Sequence, residues 1–303
     1  MTPAHEHPSV ATERVRLVPA LAAATAELAA AGVESPRVDA ELLAAHVLGV
    51  GRGRLVLIDT VRAEELDRFR ELVARRTRRE PLQHLLGTAA FRHLELAVGP
   101  GVFVPRPETE LLAGWGVARA APGAVVVDLC SGTGAIALSV ADEARPGRVL
   151  AVERSPQALT YLRRNAAGSS VVEVVEGDVT DPGLLAELSG TVDVVLCNPP
   201  YVPLGTAVPP EVAEHDPEEA VFGGADGLAV IRPVVDLAAR LLRPGGALGI
   251  EHDDVHGDAV PGLLRADGRF AGVQAHRDLA GRPRYTTAER GEDGPGGMAD
   301  CSP

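Results

Sequence analysis

From residue 105 onward, short apolar runs alternate with segments whose apolar residues recur at helical spacing. The runs, among them 124–127 and 192–196, contain almost no polar residues, which is typical of strands covered on both faces of a parallel sheet. This alternation predicts an α/β fold with a mainly parallel, doubly wound sheet. Strands are predicted near 124–129, 148–153, 171–176, 192–197, 246–251, 270–276 and 283–288, and helices near 108–119, 134–144, 156–167, 182–188, 227–242 and 256–265.

The N-terminal part of the chain has a helical pattern instead. Between 11 and 79, apolar residues such as Leu21 and Leu28 recur near helical spacing, with alanine between them. The pair Ser35-Pro36 is typical of a helix start. The last predicted helix ends in the arginine cluster 75–79, which either stabilises the helix dipole or contacts a macromolecular partner. We predict a small helical-bundle domain.

Residues 80–104 differ from both neighbouring regions. Apolar residues at 91–98 and 102–104 flank Gly99-Pro100-Gly101, which predicts a short hairpin with these three residues as its turn. These changes in pattern predict four segments: a helical domain over 1–85, a β-hairpin linker over 86–105, the catalytic α/β domain over 106–290 and a disordered tail over 291–303 that is rich in Gly, Pro and Asp.

Charge narrows the range of substrates. The net charge is −13, and all 29 basic residues are arginine. Residues 1–85 are neutral overall, so the whole excess of negative charge belongs to the α/β part. Enzymes that act on duplex DNA usually present a basic face to the phosphates. The acidic α/β part therefore argues against naked DNA as the substrate.

Cysteine, histidine and hydropathy exclude several other classes of protein. Cys130, Cys197 and Cys301 lack the spacing of metal ligands or of a disulfide framework, which favours a reducing cytoplasm. The histidines at 84, 93, 215 and 252 also lack ligand spacing, so we expect no metal. Residues 1–10 are polar, unlike a signal peptide, and no apolar run approaches the roughly 20 residues of a membrane span.

Acidic residues end three successive predicted strands: Asp128, Glu153 and Asp178. In doubly wound sheets, ligands bind at these strand ends. Glycines in Ser131-Gly132-Thr133-Gly134, which open a helix, allow close approach of a cofactor. Glu153 is placed to accept both hydroxyls of a ribose, and Asp178 to recognise an adenine amino group. The segment also fits the G-x-G-x-x-A form, so S-adenosylmethionine and a nicotinamide cofactor both stay open here.

The segment Asn198-Pro199-Pro200-Tyr201 follows the fourth predicted strand and separates these alternatives. A carboxamide nitrogen is a poor nucleophile, because its lone pair is delocalised into the carbonyl. Acceptors on both of its N–H bonds, the Asn198 side-chain oxygen and the Pro199 carbonyl, would hold it and localise those electrons. Tyr201 would stack on the planar amide. The structural alternative is a proline-rich strand exit with Asn as a turn residue.

Further sequence segments add to these two motifs. Together the set is Glu80–Gly87, Phe91, Phe103–Glu110, Asp128–Gly134, Asn198–Tyr201, Phe222–Gly227 and Leu242–Gly246. With these segments, the chain resembles the peptide-chain release factor glutamine methyltransferases of the PrmC/HemK type over roughly residues 15–290. The resemblance implies methyl transfer from S-adenosylmethionine, with S-adenosylhomocysteine as product, to the glutamine of the Gly-Gly-Gln motif in release factors.

The resemblance also implies a Rossmann-like class I fold with a seven-stranded sheet, an antiparallel last strand and an N-terminal helical bundle that engages the release factor. It places the loop 130–134, Asp128, Glu153 and Asn198 at the cofactor, with Asp178 and Val179 at the adenine. Asn198, Pro199, Pro200 and Tyr201 would bind the substrate glutamine. Cys130-Ser131 and Val179 depart from the commoner residues of the family.

Phe103 and Arg106, which precede the cofactor loop in the chain, are two further candidates for substrate binding. They belong to a segment that would fold over the methyl-transfer pocket, with Phe103 shielding it. The alternative for Pro107–Glu110 is a plain helix start with acids in its first turn.

We expect a cytoplasmic monomer that acts on release factors, without nucleic acid or membrane. The rival functions are a methyltransferase for a ribosomal-protein glutamine or a nucleic-acid adenine, a nicotinamide-dependent oxidoreductase, and a catalytically silent binding module.

Overall fold

The computed structural model describes residues 13–292. The chain divides between residues 87 and 88 into two compact units, close to the boundary predicted at residue 85. The polar segment 1–10, Cys301 and the predicted disordered tail, apart from residues 291 and 292, lie outside the described residues.

Within residues 13–87, the N-terminal unit is a helical bundle with one small sheet. Its apolar centre contains Leu28, Leu43 and Phe69, each at most 3% exposed. The elements are β1 (Arg14–Arg16), α1 (Leu17–Ala30), α2 (Pro36–Leu48), a 3-10 helix (Arg52–Leu57), β2 (Thr60–Arg62), α3 (Ala63–Thr77) and α4 (Leu82–Leu86). The strands β1 and β2 pair antiparallel, which the sequence did not predict because three residues are too few to show a period.

The arginine cluster 75–79 makes contacts inside this unit. Arg76 Nε donates to Asp39 Oδ2 at 2.8 Å, and both side chains are buried. Arg75 Nε donates to Glu80 Oε2 at 2.8 Å, and Arg79 Nη1 donates to the Gly32 carbonyl at 2.7 Å. These contacts support the structural interpretation of the cluster.

The second unit contains the predicted α/β sheet. The elements are β3 (Thr88–Phe91), β4 (Leu94–Ala97), α5 (Thr109–Arg119), β5 (Val125–Leu129), α6 (Ala135–Ala144), β6 (Arg148–Glu153), α7 (Pro156–Ala166), β7 (Val172–Glu176), β8 (Val192–Cys197), α8 (Pro210–His215), α9 (Glu218–Val221), α10 (Ile231–Leu241), β9 (Leu242–Glu251), α11 (Ala259–Asp267), β10 (Phe270–Arg277) and β11 (Pro283–Arg290). The seven strands of the sheet run in the order β7-β6-β5-β8-β9-β11-β10, with the first five parallel and β11 antiparallel to both neighbours.

Helices cover both faces of this sheet, which explains the continuous apolar strands. Val126 belongs to the core beneath α5, α6 and α7, whereas the next residue, Val127, belongs to the core beneath α10 and α11. Successive strand residues point to opposite faces. Both must therefore be apolar when neither face is open to water.

The hairpin turn was predicted at the wrong place. β3 and β4 pair with Phe91 opposite Leu94, so the turn is Arg92-His93, not Gly99-Pro100-Gly101. Arg92 has φ 51°, a left-handed conformation that non-glycine residues rarely adopt. Its backbone N–H donates to Glu110 Oε1 at 2.9 Å and its Nε to Glu143 Oε1 at 2.6 Å. These tertiary bonds offset the strain, and no local signal predicts them.

The helix predicted at 182–188 is also wrong. Asp181 Oδ1 accepts from the Gly183 N–H at 2.8 Å, and Leu185 has φ 53°, so only a 3-10 turn at Ala186–Leu188 forms. Two short helices, α8 and α9, were not predicted. Helix α10 begins at Ile231 rather than 227, because Gly227 has φ 72° and ends a turn.

Candidate active site

The carboxyl ends of β5 and β8 meet where the strand order reverses direction. Leu129 lies opposite Cys197 in these adjacent parallel strands, so the residues that follow both strands emerge side by side. Doubly wound sheets bind ligands at such a switch point. A cavity of about 290 Å³ lies here, and it is lined by residues of the second unit.

The predicted site residues gather in this cavity. Gly134 does not line it; a Cβ there would lie 2.6 Å from Leu162 Cδ1, so glycine permits the close approach of α6 and α7. The lining includes Phe103, Arg106, Asp128, Cys130, Ser131, Gly132, Thr133, Glu153, Asp178, Val179, Asn198, Pro199, Pro200 and Tyr201.

The loop after β5 is sharply bent. Cys130, Gly132 and Gly134 have φ values of 57°, 55° and 86°. Ser131 fixes the bend, because its N–H donates to the Val152 carbonyl at 2.9 Å and its hydroxyl to the Asp128 carbonyl at 2.8 Å. A Cβ at Gly132 would meet no protein atom within 4 Å. The loop thus presents bare backbone to the cavity, as close approach of a cofactor requires.

Glu153 ends β6 at the carboxyl edge of the sheet, and three backbone N–H groups bind its carboxylate. Its Oε2 accepts from the Gly132 N–H at 2.8 Å, and its Oε1 accepts from the N–H groups of Arg154 and Ser155 at 2.7 and 2.8 Å. Each carboxylate oxygen offers about two lone-pair sites. These bonds hold the carboxylate rigidly at the cavity wall and leave one acceptor site, on Oε2, for a ligand hydroxyl.

Asp128 is 1% exposed, and burial raises its pKa to about 7. Its Oδ2 accepts from the Ala137 N–H at 3.1 Å, near the start of α6. Its Oδ1 is buried without a hydrogen-bond partner. A buried acceptor is seldom left unpaired. A donor on a bound cofactor would satisfy it, so this observation fits a ligand in the cavity.

Asp178 and Val179 form the far wall of the cavity. The N–H and hydroxyl of Thr180 donate to Asp178 Oδ1 at 2.8 and 2.7 Å, and Arg154 Nη1 donates to Oδ2 at 3.0 Å. These bonds, the Thr180 N–H foremost, lower the Asp178 pKa. Asp178 therefore offers an ionised carboxylate, while Val179, 8% exposed, offers an apolar surface.

Behind Asn198–Tyr201, the acceptor segment, lies a buried polar group that was not predicted from the sequence. Asn198 Nδ2 donates to Thr109 Oγ1 at 3.1 Å, and the Tyr201 hydroxyl donates to Glu251 Oε1 at 3.0 Å. Glu251 is 1% exposed, and burial raises its pKa to about 7. Glu251 ends an apolar strand, as Asp128 does, so the same signal was present in the sequence.

The glycine-rich loop 222–227 supports the acceptor segment from outside. A Cβ at Gly223 would lie 2.5 Å from the Pro200 carbonyl oxygen, and one at Gly227 would lie 2.3 Å from that of Tyr201. The His256 ring nitrogen Nε2 is 2.9 Å from the Asp226 carbonyl oxygen. Only glycine lets this loop pack against the Asn-Pro-Pro-Tyr backbone.

Arg106 and Phe103 stand at the cavity wall with a partner that was not predicted. Arg106 Nη2 donates to Asp216 Oδ2 at 2.8 Å, and its guanidinium lies 4.9 Å from the centre of the Phe103 ring. Burial raises the pKa of Asp216 to about 6, although Arg106 opposes this. The ion pair joins the segment after α8 to the segment before α5. Contact of Arg106 with substrate stays a prediction.

Within residues 13–292, the structure contains neither a candidate metal site nor a candidate membrane-spanning helix. In this part of the chain, no group of three His, Cys, Asp or Glu residues is arranged to hold a metal ion. No helix there is both long and apolar enough to cross a membrane.

Comparison with known proteins identifies the family to which the chain belongs. The models "PrmC N-terminal domain" and "Methyltransferase small domain" match residues 19–87 and 109–215. The release factor glutamine methyltransferase of Mycolicibacterium smegmatis is 59% identical over 276 residues, which cover 91% of this chain and 98% of that protein. The chain belongs to the release factor glutamine methyltransferase family. It is therefore a methyltransferase that uses S-adenosylmethionine.

Other relatives show how far the family likeness extends. The 4-amino-L-phenylalanine/4-methylamino-L-phenylalanine methyltransferase of Streptomyces pristinaespiralis is 42% identical, over 84% of this chain and 89% of that protein. A methyltransferase structure from Pyrococcus furiosus matches 67% of this chain and 92% of its own with a TM-score of 0.50 at 19% identity. The latter supports the class I fold alone.

Membership of the release factor glutamine methyltransferase family decides between the rival functions. The family assignment confirms the methyltransferase prediction and excludes the nicotinamide-dependent oxidoreductase and the silent binding module. The roles of individual site residues stay predictions, although nearly all of them line the same cavity.

Proposed function

We propose that this enzyme transfers a methyl group from S-adenosylmethionine to the side-chain amide nitrogen of the glutamine in the Gly-Gly-Gln motif of peptide-chain release factors. One observation carries the proposal. In a chain of this family, the Asn198–Tyr201 segment and the Glu153 carboxylate line one cavity at the switch point of the sheet.

The acceptor half of the cavity binds and orients the amide. The Asn198 Oδ1 and the Pro199 carbonyl accept from its two N–H bonds, which draws the nitrogen lone pair away from the amide carbonyl. Both prolines stiffen this segment and add no competing N–H donor. When bound, the cofactor would supply a methyl group on a positively charged sulfur. The S–CH3 bond would break as the N–CH3 bond forms, leaving S-adenosylhomocysteine, and one of the two amide N–H protons would be released to water. Positioning and electrostatics would provide the acceleration.

The cofactor half holds the nucleoside and the amino-acid part. Glu153 would accept from a ribose hydroxyl at the one acceptor site that its three backbone bonds leave. Asp178 would accept from the adenine amino group, and Val179 would offer an apolar surface to the ring. The bent loop 130–134 and the unpartnered Asp128 Oδ1 would hold the amino-acid part. Phe103 would shield the methyl group from water.

A second acceptor deserves a direct comparison, because a relative 42% identical is named for 4-amino-L-phenylalanine. An aryl amine, like a carboxamide, is a planar NH2 group with a delocalised lone pair. The same two oxygens would hold either group. The N-terminal domain, matched over residues 19–87, favours a protein substrate that makes contacts beyond the cavity.

We further propose a cytoplasmic monomer in which residues 1–85 engage the release factor, residues 86–105 connect, and residues 106–290 carry out the reaction without contacting nucleic acid. The acidity of the part beyond residue 85 supports the last point. Size-exclusion chromatography coupled to light scattering tests the monomer. Activity on an intact release factor, compared with that on its isolated loop peptide, measures the contribution of the N-terminal domain.

The central test supplies methyl-labelled cofactor and purified release factor, and maps the label by mass spectrometry. We expect label on the Gly-Gly-Gln glutamine and none on a release factor with that glutamine replaced by asparagine. Parallel reactions contain 4-aminophenylalanine, or DNA and ribosomal protein. An unlabelled release factor, or faster turnover of any other acceptor, would reject the proposal.

A further inference from the structure

Thr109 occupies a special position behind the acceptor segment. It is the first residue of α5 and is 3% exposed. Its hydroxyl oxygen accepts from Asn198 Nδ2 at 3.1 Å. On its other side lies the carboxyl of Glu251, whose pKa the Thr109 hydroxyl lowers against the larger, opposing effect of burial. The hydroxyl thus lies between an amide and a buried acid.

The hydrogen bonds of the structure give this group a direction. A threonine hydroxyl has two lone pairs and a single proton, so its oxygen can accept a hydrogen bond. Here the Thr109 oxygen accepts from Asn198 Nδ2. The Tyr201 hydroxyl donates to Glu251 Oε1 at 3.0 Å, whereas Glu251 Oε2 has no hydrogen-bond partner. The buried acid thus binds Tyr201 directly, and Thr109 is the side chain that binds Asn198.

This direction matters because the two ends of an asparagine side chain have nearly the same shape. One end is an acceptor, and the other is a double donor. If the amide turned over, its NH2 group would oppose the N–H bonds of the substrate, and two donors would face each other. A hydroxyl that presents its oxygen to Nδ2 selects the orientation in which Oδ1 is left for the cavity that Asn198 lines.

We propose that Thr109 is a positioning residue for methyl transfer, which turns the Asn198 oxygen toward the substrate NH2 group through its bond to Asn198 Nδ2. The inference rests on the proposed function, because it requires Asn198 to bind the acceptor. It gives the threonine of the Pro-Arg-Pro-Glu-Thr-Glu segment a role beyond starting a helix.

The test compares Thr109→Val, which keeps the shape and loses the hydroxyl, with Thr109→Ser, which keeps the hydroxyl. Loss of one hydrogen bond predicts that Val lowers kcat for release factor methylation by about two- to tenfold. We expect the KM for the release factor and the Kd for S-adenosylhomocysteine to stay within about twofold, because one hydrogen bond of the acceptor side is not part of the cofactor wall. The Ser variant is expected to keep the kcat of the unaltered enzyme.

A double-variant cycle separates positioning from a general effect on structure. In an Asn198→Ala background, Thr109→Val has no side chain left to orient and should lower the residual kcat no further. Equal losses with and without Asn198, or a Ser variant as slow as the Val variant, would overturn the inference. If valine beside Glu251 prevents folding, Thr109→Ala is used in the same cycle. A failure of the unaltered enzyme to methylate any release factor would instead reject the proposed function.

Discussion

Replacing Glu153 with glutamine exchanges one carboxylate oxygen for an NH2 group on the side of the cavity that is proposed to hold the cofactor. The carboxylate accepts one N–H bond at Oε2 and two at Oε1. The new NH2 group therefore takes the Oε2 position, where it faces the Gly132 N–H, donor against donor. The free protein loses one charge-assisted bond, worth about 1.5–3 kcal/mol.

The variant should also bind S-adenosylhomocysteine more weakly, since the NH2 group cannot accept a hydrogen bond from a ribose hydroxyl. A penalty of similar size corresponds to a Kd that is about ten- to a hundredfold weaker. Isothermal titration with S-adenosylhomocysteine measures this change, and urea unfolding measures the stability of the free protein.

The matched control is Glu176→Gln on the neighbouring strand β7. Glu176 lies opposite Glu153 in register, its side chain is 62% exposed, and its ion pair with Arg163 is at the surface. Such pairs contribute about 0–1 kcal/mol, so we expect binding close to that of the unaltered enzyme. A folded Glu153→Gln variant that binds S-adenosylhomocysteine as tightly as the control would refute the ribose assignment.

Three further predictions concern the acceptor segment and its support. Asn198→Ala should lower turnover by about a hundredfold or more with nearly unchanged S-adenosylhomocysteine binding; equal turnover in a label-transfer assay would move the acceptor pocket elsewhere. Gly227→Ala should destabilise the fold by about 1–3 kcal/mol in urea unfolding, because its Cβ would meet the Tyr201 carbonyl oxygen 2.3 Å away and its φ is 72°; Gly262→Ala, which meets nothing within 4 Å, is the control. Burial raises the pKa of Glu251 from 4.5 to about 7, so its contribution to stability is present below pH 4.5 and is lost as the pH rises through 7. The Glu251→Gln variant should therefore lose stability less steeply than the unaltered enzyme between pH 5 and 8, and identical slopes in the two proteins would count against a raised pKa.

The strands of the second unit were predicted closely, and the reason is burial. Both faces of the inner sheet are covered, so β5, β6 and β8 are nearly continuous apolar runs. Each of the strands β5 to β8 begins and ends within a residue of its predicted bounds. Asp128 and Glu153 ended these runs in the sequence, and both line the cavity. A polar residue that ends a parallel apolar strand of a doubly wound sheet lies at the ligand-binding edge, because the carboxyl ends of the parallel strands share that edge.

The elements that were predicted wrongly depend on side-chain hydrogen bonds, which hydrophobic periodicity does not show. The Arg92-His93 turn depends on Glu110 and Glu143, which are far along the chain. The 3-10 turn at Ala186–Leu188 replaces a helix because the Asp181 side chain bonds to the chain two residues on. The partner of Arg106, Asp216, lies 110 residues away and carried no motif of its own.

By itself, the sequence determined the order of the seven strands β5 to β11 and of most helices between them, the edge at which ligands bind and the residues that follow the parallel strands there. It could do so because hydrophobic periodicity and strand-end chemistry are local properties of the chain. Only the tertiary structure decided that Glu251 and Thr109 stand behind Asn198 and Tyr201, since strand order brings β9 next to β8 and α5 over both. The direction of those hydrogen bonds depends on which groups are buried together, and burial is a property of the folded chain as a whole.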